Sequence, residues 1–239
     1  MPEDINALFS VSVYVEAMLG LLLLYTWAQT PEIKAVGWWG SAHILRAGSI
    51  ALFGMFGHLP DGITIDLANA ILLTSFAATW AGARLFGGRK INPTILFAGA
   101  AIWLVCGQIP EIAESVPARA LLCSAIIATY MWLAAAEFWR LNEGQLVSRL
   151  PAFFMLFAQG ALFLMRTPLG VLMPQLTGTE TLFGSVWLTV LSSEALLFTI
   201  AIAFILMAMA KERAAHLHET MIDPLAGFRD RHSLISGVS

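Results

Sequence analysis

The run LFGSVWLTVLSSEALLFTIAIAFILMAMA, residues 182–210, passes directly into KERAAHLHETMI, residues 211–222, and this junction decides the fold. The first part carries one ionisable group, Glu194, and is longer than the roughly 20 apolar residues a helix needs to cross the hydrocarbon core of a bilayer. The second part opens on Lys211-Glu212-Arg213, an abrupt return to water. Across the junction, Met207, Ala210, Ala214, Leu217 and Met221 recur at spacings of three, four, three and four. That is a heptad seam, and it predicts two copies of the helix side by side in a homodimer. Asp223-Pro224 stops the helix, because the residue before proline is driven out of the helical region. The expectation is a last membrane helix that runs on as a short coiled-coil linker over 211–222.

The rest of the chain follows the same logic. Of its 239 residues, 58% are hydrophobic and 12% charged, and the mean hydropathy is +0.76. A soluble domain carries about 25% charged residues, so the lipid bilayer is the expected partner. Seven stretches are long and apolar enough to be read as spans: 7–27, 36–57, 64–86, 93–109, 118–140, 151–172 and 182–210. Turn and breaker signals separate them: Gln29-Thr30-Pro31, Leu59-Pro60-Asp61-Gly62, Gly87-Gly88, Pro110 with Pro117, Asn142-Glu143-Gly144, and Pro174 with Gly178. The N-terminal MPEDIN has no basic n-region, so the first run is read as a retained span. The predicted fold is all-α: a seven-helix integral membrane bundle over 1–210, with the linker at 211–222 and a remainder at 223–239.

Orientation comes from the connections. Lys34, then Arg84, Arg89 and Lys90, then Arg140 and Arg149, then Lys211 and Arg213 fall on one side. Glu3, Asp4, Asp61, Asp66, Glu111, Glu114 and Glu180 fall on the other, with Arg119 and Arg166 near its edge. The positive-inside rule places the N-terminus outside and the C-terminus in the cytoplasm. Trp27, Trp38, Trp39, Trp139 and Trp187 lie near predicted ends and read as interfacial aromatics. Small residues in the third and fourth segments (Ala77, Ala78, Ala81, Gly82, Gly99) predict close backbone approach. Cys106 and Cys123 read as buried structural thiols.

Ionisable groups within membrane helices are costly and mark function by default. Glu16, His43, Arg46 and Glu194 lie well inside their segments, and Gln159 lies nearby in depth. His43 and Arg46 are three apart and share a helix face. These five form the candidate sensor cluster, with two readings. One is a buried ion pair that fixes helix register. The other is a site for a small ligand or a proton, with His43 as the titrating member, whose occupancy shifts the last helix. Glu137 and Arg140 read as an interfacial pair or as snorkelling groups at the cytoplasmic end of the fifth segment, and Arg166 either snorkels outward or helps line an outward-facing pocket for an anion. Haem clamped by His43 and His58 is excluded by their separation of about 22 Å along a helix. No catalytic residue and no metal-ligating set is expected, because paired-carboxylate, nucleophilic-triad and phosphate-cradling motifs are absent. The basic residues are scattered in loops, so no nucleic-acid partner is expected either.

The tail DPLAGFRDRH, residues 223–232, resembles the opening motif of the diguanylate cyclase (GGDEF) family, D-x-L-T-G-L-x-N-R-R. Asp223, Leu225, Gly227 and Arg231 fit that pattern; Ala226, Phe228, Asp230 and His232 depart from it. The resemblance implies a multi-span sensor of the bacterial inner membrane followed by a dimeric linker and a cytoplasmic domain. That domain makes cyclic di-GMP from two GTP molecules with Mg. The GGDEF loop itself is not in these 239 residues, so residues 223–239 look like the truncated start of such a domain. The chain alone is expected to be inactive and to carry no cofactor. The competing expectation is a multi-span transporter or cofactor-binding membrane protein with an incidental cytoplasmic tail.

Overall fold

The computed structural model describes the backbone of residues 3–141, 146–172 and 186–222, and side chains over 10–141, 146–166, 168 and 195–216. Among these residues the chain is helical throughout, without strands. The elements are α1 (Glu3–Gln29), α2 (Lys34–Gly54), a π-helical turn (Gly62–Leu67) running into α3 (Ala68–Phe86), α4 (Pro93–Cys106), the short α5 (Pro110–Ala113), α6 (Val116–Trp139), α7 (Arg149–Leu172) and α8 (Val186–Ile222). Their starts follow from local chemistry. Asn92 caps α4 by accepting from the Thr94 N–H at 3.0 Å, and Ser115 caps α6 by accepting from the Ala118 N–H at 3.4 Å. Each cap precedes a proline in the first turn, where a missing N–H costs nothing. Gly88 closes the turn after α3 with a φ of 71°, a left-handed conformation that favours glycine.

Among the described residues, four helices are long and apolar enough to cross a membrane: Ser10–Gln29, Gly62–Phe86, Val116–Trp139 and Ala195–His216. Two of the other expected spans are also helical but fall short, for separate reasons. Helix α4 has 14 residues, about 21 Å of rise, against a hydrocarbon core of about 30 Å. Helix α2 has 21 residues, but Lys34, His43 and Arg46 dilute its apolar content. Helix α7 has 24 residues, and its side chains are described only as far as Arg166 and at Pro168. Helix α2 ends at Gly54, so His58 lies beyond it in the following turn and does not share its axis.

Helix α3 is the centre of the packing, flanked by α2, α4 and α6; α7 lies on α6, and α8 packs on α7, α1 and α2. Its small residues serve a different end from backbone-to-backbone contact. A Cβ at Gly82 would lie 2.4 Å from Trp39 Nε1, and that indole donates to the Thr79 carbonyl at 3.2 Å. The same device recurs twice. The Tyr130 hydroxyl crosses Gly99 and donates to the Ile95 carbonyl at 2.7 Å, and the Trp132 indole crosses Gly160 and donates to the Phe157 carbonyl at 3.2 Å. In each case a glycine one turn after the acceptor carbonyl clears the way for a polar ring. Trp39 is therefore not an interfacial aromatic. It is 1% exposed and forms a ring cluster with Phe86 and Phe138 at centroid distances of 5.7 and 6.3 Å. True backbone proximity occurs between α1 and α2, where a Cβ on Gly20 would lie 3.0 Å from the Gly40 carbonyl oxygen.

Candidate functional site

The Gly20–Gly40 contact sets up the site. Glu16 precedes Gly20 by four residues and His43 follows Gly40 by three, so both lie one turn away on the contacting faces. The two helices deliver a carboxylate and an imidazole to the same point. His43 Nδ1 is 2.6 Å from Glu16 Oε2, and the carboxylate accepts from it. Arg46, on the same face of α2, donates from Nη1 to Glu16 Oε1 at 3.4 Å and from Nη2 to Thr79 Oγ1 at 3.4 Å. Its guanidinium also sits 4.4 Å from the centroid of the Phe76 ring, three residues before Thr79 on α3. Thr79 passes the bond on, donating to the Ser75 carbonyl at 3.2 Å. Helix α8 closes the arrangement: Thr199 donates from Oγ1 to Glu16 Oε1 at 3.2 Å.

Glu16, His43 and Arg46 are all buried, at 2, 3 and 8% exposure. Charges at such depth persist only when paired and hydrogen-bonded. One carboxylate against one guanidinium sums to zero, and the hydroxyls of Thr79 and Thr199 and the Phe76 face add polar contacts, while Arg46 Nε is buried without a hydrogen-bond partner among the described residues. Gln159 of α7 lines the same small cavity as His43, Arg46, Thr79 and Thr199. Its volume, about 10 Å³, matches a single water molecule.

The structure thus brings together four of the five expected cluster members and adds Thr79, Thr199 and Phe76. The fifth, Glu194, lies on the backbone of α8, but its side chain is outside the described residues. The threonines carry no charge and sit among many apolar helical residues, so only their hydroxyls in apolar segments could have flagged them.

The heptad residues divide. Ala210 is 2% exposed, and Met207 and Ala214 pack against the same core cluster of this chain. They face inward, because α8 needs that stripe to dock on its own bundle. Its outer stripe is Leu197, Ile200, Phe204, Lys211 and Ala215, all exposed. The side chains of Leu217 and Met221 lie outside the described residues, as do Asp223, Leu225, Gly227 and Arg231.

A second charged assembly stands at the far end of α8. Glu137 does not pair with Arg140, which is exposed. Its buried carboxylate instead holds Arg84 Nη1 at 3.0 Å and Arg89 Nη1 at 3.1 Å, across the α3–α4 turn. Glu212 accepts from the Ser148 hydroxyl at 2.7 Å and from its backbone N–H at 3.3 Å, while Arg213 donates to the Phe86 carbonyl at 2.9 Å. Both charges flanking the exit of α8 are tied to connections of the bundle. On the opposite side, Arg119 meets Asp66 at 3.3 Å, Arg166 lies over the Phe163 ring at 5.7 Å, and the buried Cys123 thiol donates to Asn69 Oδ1 at 3.3 Å. Cys106 is half-buried. Comparison with known proteins finds no family model that matches the chain, and no curated protein or solved structure that matches it.

Proposed function

We propose that this chain is the membrane signal-input region of a bacterial inner-membrane protein of the diguanylate cyclase kind, with α8 as its transmitting element. The observation that carries the reading is the continuity of α8. One helix of 37 residues joins the buried node at Thr199 to the charged exit at Glu212 and Arg213, about 20 Å further along its axis. Occupancy or protonation that alters Glu16 therefore acts on a rod whose other end leaves the bundle. In the full reading the seven helical segments all span the membrane, the N-terminus is outside, the C-terminus is cytoplasmic, and two copies meet along the emerging helix. The tail DPLAGFRDRH supports a cyclase as output, since cyclisation of two GTP molecules depends on how two output domains face each other. A ligand or proton drives such a change only through different affinity for two arrangements of the helices.

The test is to place the chain ahead of an active GGDEF domain and measure cyclic di-GMP in membranes. Arg46→Gln is expected to shift the output while insertion and protein level stay unchanged. Output identical to the parent across a range of external pH and added lipophilic compounds would overturn the sensing role of the node.

A further inference from the structure

The Arg46 guanidinium is committed at both terminal nitrogens, Nη1 to Glu16 and Nη2 to Thr79, but its Nε is buried and meets no hydrogen-bond partner among the described residues. Arg46 lines the small cavity beside the node, and the polar groups around that cavity can be accounted for one by one. The Trp39 indole donates to the Thr79 carbonyl, the Thr79 hydroxyl to the Ser75 carbonyl, and the Thr199 hydroxyl to Glu16. His43 is bonded to Glu16 through Nδ1. In the neutral ring Nε2 is then an acceptor, and no described group donates to it. Gln159, buried on α7, carries a carboxamide with both donors and an acceptor, bonded to none of the described residues. Three groups on one cavity are thus left over: a donor on Arg46, an acceptor on His43, and an amide that can do either. Burying such groups unpaired is costly.

We propose that this cavity is a binding site for one ordered water molecule, which accepts from the Arg46 Nε–H and donates to His43 Nε2 and to the Gln159 carboxamide oxygen. Three hydrogen bonds are the usual complement of a buried water, and a volume of about 10 Å³ admits one. The chemistry selects water over an ion. A halide could take the Arg46 donor but offers nothing to His43 Nε2, and an ammonium ion could serve His43 but offers nothing to Arg46. Either would also add net charge beside a carboxylate and a guanidinium that already balance. The water brings α7 into the node: His43 and Arg46 come from α2, Gln159 comes from α7, and the water is the hydrogen-bonded link between them. Gln159 is therefore a positioning residue that acts on His43 and Arg46 through the water. The site stands on this geometry and does not depend on the signalling reading.

The test is radiolytic footprinting of the full chain in lipid nanodiscs. X-ray pulses split ordered water into hydroxyl radicals where it sits, and each radical oxidises a side chain it touches. Two methionines make the comparison: Met131 lines the cavity and Met209 is not among its lining residues, yet they are equally buried, at 1 and 0% exposure. Mass spectrometry is expected to find severalfold more sulfoxide at Met131 than at Met209. Radicals generated in the bulk solvent from peroxide and iron should leave both near background. Gln159→Leu, similar in volume but without the amide, should bring Met131 down to the level of Met209. If that variant does not fold, the comparison of the two methionines in the unmodified chain still decides. Equal oxidation of Met131 and Met209 by X-rays would overturn the proposal. So would oxidation of Met131 by bulk radicals as strong as by X-rays, which marks local opening, or an undiminished Met131 signal in folded Gln159→Leu. None of these readouts involves cyclic di-GMP, so failure of the water site and failure of the signalling role are told apart.

Discussion

Glu16→Ala gives the sharpest test of the buried node. The substitution removes the acceptor for three donors at once: His43 at 2.6 Å, Arg46 at 3.4 Å and Thr199 at 3.2 Å. Arg46 then remains as a buried cation with only Thr79 and the Phe76 face, and stranding one partner of a buried pair costs about 3–5 kcal/mol. The reverse change is milder. Arg46→Met leaves Glu16 its bonds to His43 and Thr199. That variant is expected to lose about 1.5–3 kcal/mol, the range for a hydrogen bond to a charged group. Replacing both residues with apolar ones, Glu16→Leu with Arg46→Met, removes the stranded charge and should return to within about 1 kcal/mol of the parent, as exchanged buried ion pairs do. The assay is SDS-titrated unfolding in mixed micelles followed by tryptophan fluorescence, with the four proteins forming a double-mutant cycle. Equal losses for Glu16→Ala and Arg46→Met, or a double variant as unstable as the sum of the singles, would refute the account of the node.

Three further outcomes follow from the packing. Gly82→Ala forces a methyl to 2.4 Å from the Trp39 indole nitrogen; overpacking and a broken hydrogen bond should cost about 2–3 kcal/mol, and Trp39→Phe in the same background should recover part of it in the same unfolding assay. Glu137→Gln releases the buried charge that holds Arg84 and Arg89 and should cost about 2 kcal/mol, whereas Arg140→Gln should change unfolding by less than about 0.5 kcal/mol; similar effects of the two would restore Arg140 as the partner. If two copies meet along α8, cysteines at Phe204, Lys211 and Ala215 should crosslink between subunits and cysteines at Met209 and Ala210 should not. Preferential crosslinking at Ala210 or Ala214 would mean that the inward stripe of α8 turns outward in the membrane.

Much of the helix placement was legible because it depends on local signals. Breakers such as Pro31 and Gly87-Gly88 fall between helices, and Asn92 and Ser115 start them. The neighbourhood of Glu16 and Arg46 was also foreseeable, since a membrane helix leaves charges of opposite sign few places to go but toward each other. Other features depended on which faces meet. Nothing around Glu137 distinguishes Arg140, three residues away, from Arg84 and Arg89, which arrive from another helix and its turn. Nothing around Trp39 distinguishes an interfacial ring from one lying on Gly82, forty-three positions later. The heptad in α8 is real as a pattern, but a pattern of small and apolar residues at that spacing suits the chain's own bundle as well as a second copy.

Length, hydropathy and the spacing of breakers therefore determined, from sequence alone, that this is an all-helical chain with helices apolar enough for a bilayer, because those properties reside in one helix at a time. Tertiary structure decided that α8 reaches the node through Thr199, that Gly20 and Gly40 bring α1 and α2 together, and that the inner stripe of α8 faces its own core. Those outcomes depend on the relative rotation and spacing of separate helices, and in this chain glycines and crossing aromatic rings set both.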